Sequence, residues 1–315
     1  MSTTPSPSEL PYTVVGEASG QLREVRTGVS VVVLNRPGRP IRLESLQPFA
    51  ECGADELVYV LGPHPHYEIE QLASRLPRTR FVLLSRDVTV GERINIGMHE
   101  ARSPLVFTIW SDMDAPTLTR RIAERCDALD AVCCVPLIKS ERNETVPSQI
   151  APAFFRSLLR TIPTQPGAEA SPSLYVYADT GVFDRARFDG LGGYDPSIEN
   201  PYWQRLDFGF RAYLWGDRIL SLPSLRVQTS RSLPADDTTP DASYARFHLK
   251  NLAVRFVRDQ GRLPLRQLVP FVLRSGLGVS EALRIFRDVR LWVARNRYRF
   301  AQDARRVTEL WEVEE

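Results

Sequence analysis

Leu105-Val106-Phe107-Thr108-Ile109-Trp110-Ser111-Asp112-Met113-Asp114 is the stretch whose reading decides the fold. Its first six residues form an apolar run that predicts a strand buried on both faces. The acid-X-acid step behind it sets two carboxylates, Asp112 and Asp114, at the C-terminal edge of that strand's sheet. In open α/β sheets this edge is where ligands bind. Converging carboxylates repel each other unless a cation lies between them, and hard oxygen donors suit Mg²⁺ or Mn²⁺. Such an ion keeps positions open for substrate phosphates. The local alternative is that one Asp caps a helix starting near Ala115-Pro116.

Upstream, residues 29–34, 56–61 and 80–85 read as strands, and residues 41–52, 67–76 and 91–101 as helices. Downstream, a helix is expected over 118–129 and a strand over 131–136. This alternation predicts an α/β fold with a mainly parallel sheet, right-handed crossovers and flanking helices. Residues 138–173 are polar and Pro-rich, with a short helix candidate at 154–159. A long irregular stretch of this kind inside a domain suggests a functional loop or lid. A strand is expected at 174–177, helical segments at 182–191 and 206–215, and closing strands at 218–222 and 225–229. Residues 233–241 form an acidic linker, followed by helices over 245–257 and 279–304. The implied organisation is a lead-in with a disordered tail over 1–27, an α/β domain over 28–232 and a basic helical region over 233–315.

The chain has 315 residues and a net charge of +2, which gives little support to a purely electrostatic nucleic-acid role. Between Arg246 and Arg306 there are 15 basic residues against 4 acidic ones, so the remainder is net acidic. A basic amphipathic helix pair carrying Phe286, Leu291, Trp292, Tyr298 and Phe300 fits an anionic membrane surface; the alternative is an appendage packed on the preceding domain. Cys52, Cys126, Cys133 and Cys134 lack metal-ligand spacing and suit buried packing. No disulfide scaffold, signal peptide or transmembrane-length apolar run is evident, which points to a reducing cytosol, with peripheral contact at the inner membrane face.

Taken in order, these segments resemble family-2 glycosyltransferases of the GT-A fold. Residues 29–37 resemble their opening strand and loop, and Asn95-Ile96-Gly97 with Glu100-Ala101 resembles the helix before the metal strand. Residues 105–114 resemble that strand with its Asp-X-Asp. Thr180-Gly181-Val182-Phe183, Gly192-Gly193-Tyr194-Asp195 and Asp207-Phe208-Gly209-Phe210-Arg211 resemble the sugar- and acceptor-site segments. The resemblance implies a metal-dependent, inverting transfer from a nucleotide-diphosphate sugar to a hydroxyl acceptor, such as a glycan or a lipid-linked or cell-envelope saccharide. Asp112 and Asp114 would hold Mn²⁺ or Mg²⁺, which would neutralise charge on the leaving diphosphate. Asn35, Arg36, Arg93, Asn95, Asp112 and Gly193 are the nucleotide-sugar candidates; for Arg93 a solvated surface role is the alternative.

Three departures from that family matter. Gln204 and Arg205 stand where many relatives carry an acidic pair that supplies the general base. Asp207 or Glu199 is then the candidate base, with a helix ion pair to Arg211 and a solvated turn as their respective alternatives. The second strand is followed by Leu61-Gly62-Pro63-His64-Pro65-His66 rather than by Asp, so the nucleotide stays open. His64 and His66 are read as base-stacking, metal-ligating or simply exposed. Thr229, Ser230 and Arg231 replace a metal-completing His. The missing acidic pair also motivates a second hypothesis, a degenerate domain that binds a sugar nucleotide or a partner without turnover. A nucleotidyltransferase ranks last, because Asn35-Arg36-Pro37-Gly38-Arg39 makes a poor phosphate loop.

Overall fold

The computed structural model describes residues 12–16, 28–38, 41–63, 68–155 and 158–312. His64, His66 and the first eleven residues lie outside the described residues. In chain order the strands are β1 (Tyr12–Gly16), β2 (Val29–Leu34), β3 (Glu56–Leu61), β4 (Thr79–Leu84), β5 (Leu105–Trp110), β6 (Cys133–Lys139), β7 (Gln149–Phe155), β8 (Leu158–Thr164), β9 (Ser171–Pro172), β10 (Gly181–Asp184) and β11 (Ile219–Gln228). The helices are α1 (Leu43–Ala50), α2 (Ile69–Arg75), α3 (Val90–Glu100), α4 (Arg120–Ala128), α5 (Arg185–Leu191), α6 (Pro201–Leu214), α7 (Ala242–Phe247), α8 (Leu268–Arg274), α9 (Val279–Arg295) and α10 (Ala304–Glu312).

Nine strands form one sheet in the order β1-β4-β3-β2-β5-β10-β6-β11-β9. The run β4-β3-β2-β5 is parallel throughout, as its β-branched strands buried on both faces require. β10 lies antiparallel between β5 and β6, and β11 pairs parallel with β6. The sheet is thus mainly parallel and flanked by helices.

Two helices hold the candidate site. α3 starts at a capping box: Thr89 Oγ1 accepts from the Glu92 amide at 3.1 Å, and Glu92 Oε2 accepts from the Thr89 amide at 2.8 Å. Gly97 brings α3 close to β2, where a Cβ would sit 2.3 Å from Val32 Cγ1. α6 starts with Asn200 as cap and Pro201 in its first turn, the arrangement expected of a strong helix start.

A second apolar core joins the α6 residues Trp203, Leu206, Phe210 and Leu214 to Phe247, Leu249, Ile285, Phe286, Val289, Trp292 and Phe300. Trp203 stacks on Phe247 at 5.6 Å, and Trp215 on Trp292 at 5.7 Å. The basic C-terminal helices therefore pack against α6. Phe286, Trp292 and Phe300 point into this core at 3%, 9% and 3% exposure, so they cannot form a membrane face; Leu291 and Tyr298 are exposed.

Several local expectations change. Tyr12–Gly16, within the expected lead-in, is an edge strand pairing antiparallel with β4. Where a helix was expected at 154–159, the described residues 154–155 and 158–159 end and begin two antiparallel strands, β7 and β8. Residues 174–177 form no strand; a 3₁₀ turn at Tyr177–Asp179 stands at the end of that segment. Residues 182–191 divide into β10 and α5, and the two closing strands are one, β11, interrupted by a bulge between Leu222 and Arg226. The helix expected over 245–257 is the short α7 with a π turn over His248–Leu252, and that over 279–304 ends at Arg295.

Candidate active site

The tips of β2, β3 and β5 are tied together through Asn35. Its Oδ1 accepts from Tyr59 Oη and from Ser111 Oγ, each at 3.2 Å, and Ser111 Oγ in turn accepts from the Arg36 amide at 3.2 Å. Asn35 is buried and ties the strand tips together. Arg36 then lies flat over the Trp110 ring, 3.6 Å from its centroid. Its Nε donates to both carboxylate oxygens of Asp112 at 3.2 Å. Met113 bridges to Thr229, and the Asp114 amide donates to the Gln228 carbonyl at 2.8 Å. This pins the turn while leaving Asp114 exposed.

Beside this cluster is a cavity of about 220 Å³ lined by Arg36, Trp110, Tyr177, Asp179, Tyr202, Arg205 and residues 233–237. Arg205 Nη1 meets Asp179 at 3.0 Å, and its other terminal nitrogen pairs with Asp236. Tyr175 Oη also donates to Asp236, at 3.3 Å. The segment expected as a linker thus folds across the cavity, held further by Trp203 Nε1 to the Thr239 carbonyl at 2.9 Å. Burial raises the Asp179 carboxyl above its ordinary value, and the Arg205 charge only partly offsets this. Ala178 and Asp179 both adopt left-handed backbone, with φ of 52° and 55°. Consecutive non-glycine residues in that region store strain and cluster at functional sites. The Ala178 carbonyl accepts from Trp110 Nε1 at 2.9 Å, and that of Asp179 from Thr108 Oγ1 at 2.7 Å, which clamps the turn to β5.

The other sequence candidates fall elsewhere. Arg93 is 7% exposed rather than a surface side chain; Nη1 donates to the Asn35 carbonyl at 3.3 Å, and burial lowers its pKa. Asn95 clamps the residue-194 backbone, donating to the Tyr194 carbonyl at 2.8 Å and accepting from its amide at 2.9 Å. Gly193, at φ +63°, packs so tightly there that a Cβ would lie 2.6 Å from Asn95 Oδ1. These two shape the fold behind the cavity and do not line it.

Asp207 needs correction as a candidate base. It is fully buried and its carboxylate is saturated by Arg211 at 3.0 Å, Lys250 at 2.9 Å and Asn251 at 2.8 Å. A hydroxyl acceptor has no path to it. Glu199 is an exposed turn residue outside the cavity lining, with its amide bound to Ser243 Oγ at 3.2 Å. Gln204 bridges elements: Oε1 accepts from the Gly91 amide at 2.9 Å, and Nε2 donates to Thr89 Oγ1 at 3.0 Å and the Asp195 carbonyl at 2.9 Å. Sequence reasoning missed Asp179, Trp110 and Asp236. The only signal was that Asp179 immediately precedes the segment Thr180-Gly181.

A larger cavity, about 290 Å³, is lined by Asp189, Asp195, Arg211, Lys250, Arg295 and Arg299. It lies away from the strand tips, and its Arg211, Lys250 and Asp195 are already held in ion pairs, so size does not make it the active site.

No protein-family model matches the chain, and no curated protein matches its sequence. Its structure is similar to that of GalNAc-T7 solved with UDP, GalNAc and Mn²⁺: TM-score 0.58 and 15% identity, over 87% of this chain and 57% of that one. The chain thus spans little more than half of GalNAc-T7's length. S. aureus TarS 1-349 in complex with UDP-GlcNAc aligns at a TM-score of 0.47 and 15% identity, over 83% of this chain and 71% of that one, too low to carry weight. The sheet order and the likeness to GalNAc-T7 together give this chain a GT-A-like α/β fold.

Proposed function

We propose that the chain is a glycosyltransferase that moves a sugar from a nucleotide-diphosphate sugar to a hydroxyl acceptor with inversion. The observation that carries this is the cavity at the C-terminal tips of β2 and β5, where cationic Arg36 and buried Asp179 line one space. That is where an open α/β sheet binds a nucleotide. Arg36 spends its Nε on Asp112, and its terminal nitrogens suit diphosphate oxygens. Asp179 is a better base than Asp207 or Glu199, because it lines the cavity and burial raises its pKa. In the reaction Asp179 takes the acceptor hydroxyl proton, the freed oxygen bonds to the anomeric carbon, and the bond from that carbon to the phosphate oxygen breaks. The electron pair leaves with the nucleoside diphosphate, whose charge Arg36 partly offsets. Arg205 holds Asp179 in place until the acceptor arrives.

The Mn²⁺ or Mg²⁺ implied by the resemblance meets a poor donor set in this arrangement. Both Asp112 oxygens face a guanidinium, Asp114 is exposed, and the described residues offer no cluster of three His, Cys, Asp or Glu side chains fit for a metal. Positive charge at this edge is supplied by Arg36, and a divalent ion at Asp112 requires Arg36 to leave it.

The hairpin of β7 and β8 suits acceptor selection, because Thr161 Oγ1 meets the cavity residue Tyr202 at 3.0 Å. A glycan or a lipid-linked saccharide is the acceptor class we favour. The four cysteines are buried and unpaired, in keeping with a reducing, cytosolic compartment.

Gln204 and Arg205 in place of an acidic pair favour a second reading, a domain that binds sugar nucleotide without turnover. Incubation with UDP-, GDP- and dTDP-sugars, following binding and slow donor hydrolysis, separates the two. Hydrolysis that disappears in Asp179→Asn supports transfer. Tight binding with neither hydrolysis nor transfer over a broad acceptor panel supports the second reading.

A further inference from the structure

Eight of the nine exposed large apolar side chains among the described residues lie between residues 257 and 298. Three of them form one stripe. Leu265, Val269 and Leu273, at 59%, 66% and 79% exposure, are spaced four apart along α8 and the 3₁₀ turn that leads into it. At about 100° per residue they fall within a single narrow arc of the helix surface. Val279 and Leu283 add two more at the start of α9, at 63% and 44%. The inner sides of the two helices are anchored by Phe271 against Phe286 at 6.1 Å, so the apolar stripe is held outward on a packed support.

Exposed arginines interleave with these residues: Arg266 on the 3₁₀ turn, Arg274 at the end of α8, and Arg284 and Arg287 on α9. The acidic residues of the two helices are Glu281, beside Val279, and Asp288, which pairs with Arg287 at 3.5 Å. These exposed arginines outnumber the acids of the two helices, which makes an apolar ridge set in positive charge. A second copy docked by the same face would bring like charges together, which costs free energy. A surface with negative headgroups over hydrocarbon satisfies both features.

We infer that the Leu265–Val269–Leu273 ridge of α8, with its flanking arginines, docks the protein on an anionic phospholipid surface. The apolar side chains enter the headgroup boundary while the guanidiniums bind lipid phosphates. No helix among the described residues is long and apolar enough to cross a membrane. It is independent of the sugar-transfer reading, which rests on the strand-tip cavity.

The test is co-sedimentation of the full chain with phosphatidylglycerol-containing and pure phosphatidylcholine vesicles at low and high salt. Binding to the anionic vesicles only, weakened by salt, is expected. Arg266→Gln with Arg274→Gln should weaken partitioning about thirtyfold, and Val269→Ser with Leu273→Ser should abolish it. All four positions are exposed, and an unchanged thermal midpoint and far-UV circular dichroism show that these variants fold. Absence of binding at low salt, equal binding to neutral vesicles, or full binding by both variants overturns the proposal. So does a dimer in sedimentation velocity that Leu273→Ser dissociates, since the ridge would then belong to a second copy.

Discussion

Arg36 and Asp112 form a closed pair on the face of Trp110, with Nε 3.2 Å from each carboxylate oxygen. A divalent cation and this guanidinium compete for the same two oxygens. If the cavity takes a nucleoside diphosphate as proposed, Arg36→Ala should have two effects, both readable by calorimetry with UDP as probe. UDP affinity without added metal should fall about tenfold, the loss of one charge-assisted contact. Added Mn²⁺ should raise UDP affinity more in Arg36→Ala than in the unaltered protein, because Asp112 has been vacated. An equal Mn²⁺ effect in both proteins would mean that the ion binds without contesting Asp112.

The proposed role of Asp179 as general base implies a pH dependence. Burial raises its pKa, so the charged form needed to accept a proton appears only above the ordinary carboxylate value of about 3.9. Turnover should rise with pH and level off at an inflection higher than that value. Arg205 pulls in the opposite direction, so Arg205→Gln should move the inflection to still higher pH as well as lower the rate. Asp179→Asn should remove the limb together with the activity. A limb that persists in Asp179→Asn assigns the titration to another group.

The parallel half of the sheet was legible because strands buried on both faces read as continuous β-branched runs, as in Val29–Leu34. β1 was not, since its partly exposed edge position carries no such run. The hairpin of β7 and β8 was hidden by Pro152 and Pro163, which argue against a central strand but are admitted in an isolated pair. The place of Asp112 and Arg36 at the strand tips was legible, because strand tips are local features. Asp179 did not: its placement depends on a left-handed turn clamped to β5 through Thr108 and Trp110, about 70 residues earlier in the chain. Asp207 misled because one-dimensional spacing shows Arg211 and cannot show Lys250 or Asn251.

Gly209 tests how tightly α6 is pressed on the segment that leads into that turn. A Cβ at this position would sit 2.0 Å from the Leu174 carbonyl oxygen and 3.1 Å from the Tyr175 Cα, both backbone atoms with little room to move. Gly209→Ala should destabilise the protein by about 1–3 kcal/mol or more through overpacking, despite alanine's better helix propensity. Thermal or urea unfolding reads this directly. Gly190→Ala is the control, since nothing lies within 4 Å of its added Cβ.

The buried network around Lys250 makes the acid response predictable. Lys250 bridges Asp195 at 2.8 Å and Asp207 at 2.9 Å, and Arg246 also meets Asp195 at 2.9 Å. Burial alone would raise the Asp195 carboxyl, but Lys250 and Arg246 outweigh it and hold it well below the usual carboxylate range. A carboxyl depressed on folding stabilises the native state above its unfolded pKa, near 3.9, and loses that contribution as pH falls toward the folded value. Asp195→Asn should therefore be less stable than the unaltered protein at pH 7, with the gap narrowing below about pH 4. Asp207→Asn should cost about 3–5 kcal/mol, since it breaks a buried charge network. Because Asp207 lies outside the strand-tip cavity, UDP affinity measured well below the unfolding midpoint should not change. A selective loss of UDP binding by folded Asp207→Asn would return Asp207 to the active site.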